Sequence, residues 1–179
     1  MTDKRSLPPE LYTEDYFLNA CEGYTEFTES QGQRLSRRLN AAFAVAEVRP
    51  GMRVLDVGAG SGWTTALLAH LVGPSGAVHG VELEPELVRF GSANLAATDQ
   101  PWASIVAAEP GVLGLPQLAP FDRILVSAEP EVLPQTLVEQ LGEGGVMVIP
   151  VAGVMLRVRR RGMHIERSEH GFYAFVPLR

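Results

Sequence analysis

The chain has 179 residues and a mass of 19.4 kDa, which is the size of one ordinary domain. Hydrophobic residues make up 46% and charged residues 20%, so a core can form and a disordered protein is excluded. The net charge of −6 disfavours nucleic acid and anionic membranes as partners. A single cysteine, Cys21, excludes an intrachain disulfide and favours a cytoplasmic location. Residues 1–9 are unlike a signal peptide, and the longest apolar stretch, 146–156, is too short to span a membrane.

The first predicted element is an amphipathic helix at residues 33–48, within an N-terminal helical cap that we place at 1–50. Strands and helices then alternate. Short β-branched runs predict strands at 52–57, 77–83, 103–107, 121–127 and 146–151. Apolar spacings of three and four residues predict helices at 64–72, 85–97 and 131–141, with turn clusters at 73–76 and 142–145. This alternation is typical of a mostly parallel sheet with helices on both faces.

The chain after residue 151 has a different pattern. Residues 154–160 alternate as a half-buried strand does, Gly162 ends that run, and 163–178 is predicted to return as a strand. We therefore expect an α/β fold: a Rossmann-like, doubly wound sheet of about seven strands, mostly parallel, with a C-terminal antiparallel hairpin. The sheet and hairpin would form one domain at 51–179, behind the N-terminal cap.

Charge is unevenly distributed along this fold. Residues 151–179 hold 6 Arg and 2 Glu, a balance of +4, so residues 1–150 carry the remaining −10 of the total of −6. Arg157 and Arg159 fall on one face of the predicted strand, and a solvated exposed face is the simpler interpretation. A basic patch for RNA is the alternative. His164 and His170 have no metal-like spacing to each other or to Cys21, so no metal site is predicted.

The most informative segment is a glycine-rich loop at residues 58–62. A buried strand containing Asp56 runs into glycines at alternate positions, and a helix follows. A dinucleotide fingerprint requires a third glycine where Trp63 stands, and a phosphate-binding P-loop requires a lysine that is missing. The remaining pattern, G-x-G-x-G led by an acid, resembles the first motif of S-adenosylmethionine-dependent methyltransferases. The predicted cofactor-binding residues here are Asp56, Gly58, Ala59, Gly60, Ser61 and Gly62. An ordinary tight turn is the alternative.

Acidic and polar residues at the ends of the later strands extend this site. Glu82 follows the second strand, where a carboxylate can accept both hydroxyls of an adenosine ribose, and its neighbour Leu83 is placed in the same site. Glu84 is the second choice for the ribose, although its place at a helix start explains it without a ligand. Glu109 and Ser127 follow the third and fourth strands at the same edge, and Glu109 can accept from the adenine amino group.

Several segments resemble one family more specifically, the protein-L-isoaspartate O-methyltransferases. The matching segments are 54–62, 81–87, 114–116, 119–126, 137–141, 144–151 and 175–178, the last reading Phe-Val-Pro-Leu. The resemblance covers roughly residues 50–179. It implies S-adenosyl-L-methionine as cofactor, S-adenosyl-L-homocysteine as product, and peptides or proteins with isomerised aspartyl residues as methyl acceptors.

The resemblance also implies a place for the acceptor. The family has a Gly-Gln-Thr-Ile-Ser-Gln-Pro-like loop before the glycine-rich strand, and this chain has Glu-Phe-Thr-Glu-Ser-Gln-Gly at 26–32. Thr28 and Ser30 are accordingly the predicted catalytic residues, which would orient the acceptor by hydrogen bonding. Glu29 and Gly32 replace the family's Ile and Pro, so two alternatives stay open. One is a methyltransferase for a small metabolite or RNA, and the other is a cofactor-binding module without turnover.

Overall fold

The computed structural model describes residue 42 and residues 44–179, and residues Ala46–Arg179 form one compact unit. Its seven strands are β1 (Arg53–Val57), β2 (Ala77–Glu82), β3 (Ala103–Ala107), β4 (Phe121–Val126), β5 (Leu141–Val151), β6 (Val154–Arg161) and β7 (His164–Phe172). They form one sheet in the order β3-β2-β1-β4-β5-β6-β7. The first five strands pair in parallel, and β5, β6 and β7 pair antiparallel. The predicted sheet and its C-terminal antiparallel pair are therefore confirmed.

Helices pack on both faces of this sheet. Between residues 53 and 179 the helices are α1 (Trp63–Val72), α2 (Pro85–Ala96) and the short α3 (Gln135–Val138), with a 3-10 turn at Pro116–Leu118. On one face α1 buries Leu68 and Val72 completely. On the opposite face Leu55, Ile124 and Met147 are in register on adjacent strands and fully buried in the main core, which also includes residues of α3. Burial on both faces explains the near-continuous apolar runs of β1, β4 and β5.

The predicted helix at 131–141 is too long, and the predicted turn at 142–145 is wrong. Only Gln135–Val138 is helical, beginning after Pro134, and β5 already starts at Leu141. β4 pairs with β5 at Phe121–Leu141 and again at Arg123–Val146. Between these two pairs β4 moves on by two residues and β5 by five, so the glycine-containing segment 142–145 forms a bulge in β5. Local periodicity does not reveal this bulge because the pairing with β4 creates it.

The side-chain amide of Gln140, two residues after the end of α3, is buried and hydrogen-bonded. Its Oε1 accepts from Leu115 N at 2.8 Å, and its Nε2 donates to the carbonyl oxygens of Leu113 and Thr136 at 2.8 and 2.9 Å. Gln140 is only 3% exposed, so these bonds satisfy a buried polar group and fix the 113–115 loop against the core.

The ends of the described chain also differ from the sequence prediction. Residues 44–46 are helical and the helix ends before Glu47, which has a φ of +54°. The rest of the predicted helix at 33–48 lies outside the described residues, apart from a helical residue 42. β7 stops at Phe172, so residues 173–178 do not continue the predicted strand. Within the described part of the chain, no helix is long and apolar enough to cross a membrane.

Candidate cofactor-binding site

The sheet order creates a crevice at the carboxyl ends of β1 and β4. The chain leaves β1 towards β2 on one side, whereas β4, on the other side of β1, is followed by β5 further out. Connections that diverge in this way leave a gap above the two strands, where open α/β sheets bind their ligands. The glycine-rich loop follows β1, so it lies at this gap.

The glycine-rich loop has a backbone that side chains would disfavour. Gly58, Gly60 and Gly62 have φ values of +80°, +52° and +80°, in the left-handed region. The amides of Gly58 and Ala59 both donate to the carbonyl oxygen of Val81, at 2.9 and 3.2 Å. The loop is thereby fastened to β2, and a Cβ at Gly60 would approach no atom closer than 3.9 Å. The open space at Gly60 lets a ligand approach the backbone closely.

The Glu82 carboxylate closes this loop from the end of β2. Its Oε2 accepts from the amide of Gly60 at 2.9 Å, and its Oε1 accepts from the amides of Leu83 and Glu84 at 2.7 and 3.0 Å. The residue is 8% exposed. A carboxylate oxygen has two lone pairs, so Oε2 retains capacity to accept from a hydroxyl group. Glu82 therefore combines a structural bond to the loop with a free acceptor position.

Asp56 lies on β1 beneath the loop and is completely buried. Its Oδ2 accepts from Thr65 Oγ1 of α1 at 2.7 Å, while its Oδ1 has no hydrogen-bond partner among the described residues. The pKa of Asp56 is raised to about 7, mainly because burial disfavours the charged form; the Thr65 hydrogen bond lowers the pKa in part, and the negative charge of Glu82 adds to the increase. An unsatisfied carboxylate oxygen inside a protein is costly, so this site favours a positively charged or hydrogen-bond-donating ligand.

The other predicted site residues occupy different positions around the crevice. Ser127 lies at the end of β4, where its amide donates to Val57 O at 2.8 Å, and its backbone and Cβ adjoin Gly58. Leu83 is 45% exposed beside Glu82. Glu109 follows β3 and is exposed, with a carbonyl oxygen that accepts from the amide of Val112. Glu84 is ion-paired with Arg179, which makes Glu82 the better ribose candidate. Thr28 and Ser30 lie outside the described residues.

The sequence analysis missed the support that α2 gives to the loop. The Asn94 side-chain amide donates to the carbonyl oxygen of Ser61 at 3.0 Å. One turn earlier, Gly91 packs so closely that a Cβ there would lie 2.5 Å from Gly60 O and 3.1 Å from Gly62 N. A glycine inside a predicted helix is the signal that could have indicated this approach, since it costs about 1 kcal/mol relative to alanine without such a reason.

Gly91→Ala should therefore destabilise the protein by about 1–2 kcal/mol, because the clash exceeds the gain in helix propensity. It should also weaken binding of S-adenosylhomocysteine about tenfold, since Gly60 and Gly62 must move. Urea denaturation and calorimetry measure the two effects. Ala93→Ser, at an exposed position on the same helix, is the matched control. Unchanged affinity in a folded Gly91→Ala protein would contradict this role for α2.

Three arginines of β6, Arg157, Arg159 and Arg161, are ion-paired within the protein, and the first two correct the expectation of a solvated face. Arg157 and Arg159 contact the two carboxylate oxygens of Glu47 at 2.8 and 3.5 Å, and their side chains are only 18% and 25% exposed. Arg161 pairs with Glu166 at 3.0 Å. The cause is the position of β6, an inner strand between β5 and β7, which places one of its faces beside Glu47. These contacts do not favour an RNA-binding patch.

This strand order, with a glycine-rich loop after β1 and an acid at the end of β2, is the one expected of an S-adenosylmethionine-dependent methyltransferase, and similarity to known proteins assigns the chain to this class. The family model for protein-L-isoaspartate(D-aspartate) O-methyltransferase (PCMT) matches residues 7–179. The chain belongs to this family, whose enzymes transfer the methyl group of S-adenosylmethionine to the carboxylate of isoaspartyl residues.

Individual relatives agree with this family. The Protein-L-isoaspartate O-methyltransferase of Pyrococcus horikoshii is 35% identical, over 96% of this chain and 80% of that protein. The same enzyme of Methanopyrus kandleri is 45% identical over 73% of this chain and 60% of that protein.

Solved structures share the fold. A protein-L-isoaspartate O-methyltransferase structure has a TM-score of 0.74 at 22% identity, over 82% of this chain and 50% of that longer one. A Plasmodium falciparum structure assigned to the same activity, solved with S-adenosyl-L-homocysteine, has a TM-score of 0.63 at 26% identity. It matches over 80% of this chain and 70% of that one.

Proposed function

We propose that this chain methylates the free carboxylate of isoaspartyl residues in peptides or proteins. The glycine-rich loop and Glu82 would hold the cofactor. The observation that carries the proposal is the Glu82 carboxylate, fixed at the end of β2 by three backbone amides. This arrangement leaves Oε2 with capacity for a further donor, and Oε2 already contacts the glycine-rich loop through Gly60. A ribose, with two adjacent hydroxyl donors, suits that position.

The residues of the crevice fit this cofactor. The buried Asp56 has an oxygen without a partner among the described residues, which suits a ligand that carries an ammonium and a sulfonium charge. The loop at 58–62 would hold the amino-acid part of the cofactor through its backbone. Leu83 and Glu109 would adjoin the adenine, and Ser127 would line the crevice beside Gly58.

The chain's own residues need to do little chemistry. When bound, S-adenosylmethionine supplies an electrophilic methyl group. The acceptor is a carboxylate that is already ionised at pH 7, so the protein need not provide a general base. Its task is to align the carboxylate with the methyl group and exclude water. We assign the alignment to the hydroxyl groups of Thr28 and Ser30.

A cytoplasmic location stays a prediction, supported by the single cysteine.

Methyl transfer to matched peptides tests this proposal. With labelled S-adenosylmethionine, we expect transfer to a peptide with one isoaspartyl residue and none to the same peptide with an ordinary aspartate. Ser30→Ala should lower kcat/KM about tenfold, because a hydrogen bond to a charged group contributes about 1.5–3 kcal/mol. Its affinity for S-adenosylhomocysteine should be unchanged.

Three outcomes would contradict the proposal. Methyl transfer to RNA or to a small metabolite in place of the peptide would assign another substrate class. Normal cofactor binding without transfer to any acceptor would indicate a binding module. No measurable heat with S-adenosylhomocysteine would remove the cofactor site itself.

A further inference from the structure

The segment that follows β7 returns to the carboxyl edge of the sheet. The amide of Glu129, two residues beyond Ser127 at the end of β4, donates to Val176 O at 2.7 Å. The amide of Leu178 donates back to Glu129 O at 2.9 Å, and Glu129 and Pro177 form a parallel bridge. Leu178 also packs against the main core. Residues 176–178 are thereby held as a short extra strand beside the end of β4.

Arg179 links this segment to the start of α2. Its guanidinium pairs with the carboxylate of Glu84, the residue at the start of α2 and two positions beyond the end of β2. β2 and β4 are the two neighbours of β1, so their ends lie about 10 Å apart at the usual strand spacing. The backbone from Leu178 and the long side chain of Arg179 together cover this distance. The end of β1, where the glycine-rich loop begins, lies between these two strand ends.

Glu84 also connects this contact to the ribose candidate. Its backbone amide donates to Glu82 Oε1 at 3.0 Å, while its side chain pairs with Arg179. Residues 82–84 therefore contain both the Glu82 carboxylate, which we assign to the cofactor, and the Glu84 carboxylate, which pairs with Arg179. Glu84 makes no side-chain cap to its own helix, so its carboxylate is available for Arg179.

We propose that the Arg179–Glu84 ion pair fastens residues 176–179 across the cofactor crevice and slows both entry and exit of the cofactor. This inference rests on the proposed cofactor site. Arg179 and Glu84 are positioning residues, because they act through the segment that they hold. We call the Arg179–Glu84 pair together with residues 176–179 the clasp. Its opening begins with separation of this ion pair and then releases the Leu178 amide from Glu129 O, so loss of the pair should speed exchange at Leu178.

The expected effect is small but specific. The two side chains are 51% and 33% exposed, and pairs of this kind typically contribute little to stability. Arg179→Ala should therefore raise both the association and the dissociation rate of S-adenosylhomocysteine about twofold to fivefold, and the dissociation constant should change less than either rate. Arg179→Lys should retain most of the wild-type behaviour. Glu84→Gln should match Arg179→Ala, and the double variant should add nothing further.

Two measurements on the full chain test this clasp. Surface plasmon resonance with S-adenosylhomocysteine gives the rates, and hydrogen exchange without ligand reports whether the Leu178 amide is exposed more often in Arg179→Ala. The control is Arg89→Ala, which removes the exposed Arg89–Glu86 pair on α2 at a similar cost in charge.

Each result decides the proposal. Faster exchange at Leu178 together with the paired rise in both rates supports the clasp. Unchanged exchange and rates would overturn it, and so would a faster dissociation with unchanged association, which would make Arg179 a direct ligand contact. If the wild-type chain did not bind S-adenosylhomocysteine, the proposed function would fail together with the clasp. Normal binding with unaltered rates in the variants overturns the clasp alone.

Discussion

Replacing Glu82 with alanine should weaken binding of S-adenosylhomocysteine by roughly two orders of magnitude, the largest loss expected from any single change in the crevice. The variant removes the acceptor proposed for the ribose hydroxyls, and a hydrogen bond to a charged group contributes about 1.5–3 kcal/mol. It also leaves the Gly60 amide without its 2.9 Å partner. Calorimetry measures the affinity, and thermal melting verifies that the variant remains folded.

Glu82→Gln separates these two contributions. An amide presents only one oxygen, whereas the Glu82 carboxylate accepts amides on both oxygens, at Gly60 on one side and at Leu83 and Glu84 on the other. In Glu82→Gln the side-chain NH2 group must therefore face one of these backbone N–H donors, and we expect an intermediate loss of affinity for S-adenosylhomocysteine of about tenfold. Glu86→Gln, on the exposed first turn of α2, is the control and should bind normally. Wild-type affinity in a folded Glu82→Ala protein would contradict the ribose assignment.

Asp56 should make stability fall as the pH rises from about 4 to about 7. The pKa of this buried carboxyl rises from 3.8 to about 7 on folding, so the folded state retains a proton that the unfolded state releases. The contribution of Asp56 is complete below the unfolded pKa and is lost as the pH approaches the folded value. Asp56→Asn retains an oxygen to accept from Thr65 and carries no charge. At pH 8 it should be more stable than wild type, by about 4 kcal/mol at most.

Urea denaturation of wild type and Asp56→Asn at pH 5 and pH 8 measures this difference. Groups that do not interact with Asp56 titrate equally in both proteins, so the change in the stability difference between them comes from Asp56 and its interaction with Glu82. A gap that is the same at both pH values would contradict the raised pKa.

The same carboxyl should link cofactor binding to protons. A ligand with an ammonium or sulfonium charge favours the ionised form of Asp56, so binding lowers its pKa and releases a proton near pH 7. Affinity should then rise with pH through about 7 in the wild type and stay nearly flat in Asp56→Asn. Calorimetry in buffers of different ionisation enthalpy detects the released proton. A variant whose pH profile runs parallel to that of the wild type would exclude this linkage.

Much of the site was predictable because its signals are local. The glycines at 58–62 directly follow a buried strand, and Glu82 lies at the end of the next one, so any parallel sheet places them at a common edge. In the structure the amide of Gly60 donates to Glu82, and the role of both residues in cofactor binding stays a prediction. The helix predicted at 131–141 is shorter in the structure, because tertiary contacts rather than local periodicity determine the conformation of residues 139–145. The side chain of Gln140 is used to fasten the 113–115 loop, and the glycines after it adapt β5 to β4.

The sequence by itself determined the α/β fold class, the class of the cofactor and the loop proposed to hold it, since these depend on residues close together in the chain. Only the tertiary structure decided which distant residues support that loop. Gly91 against Gly60, Thr65 against Asp56 and Arg179 against Glu84 are pairs that strand order and helix packing create. The last pair joins residues 95 positions apart, and no spacing rule along the chain indicates such a contact. The sheet sets it, because β2 and β4 end on either side of β1.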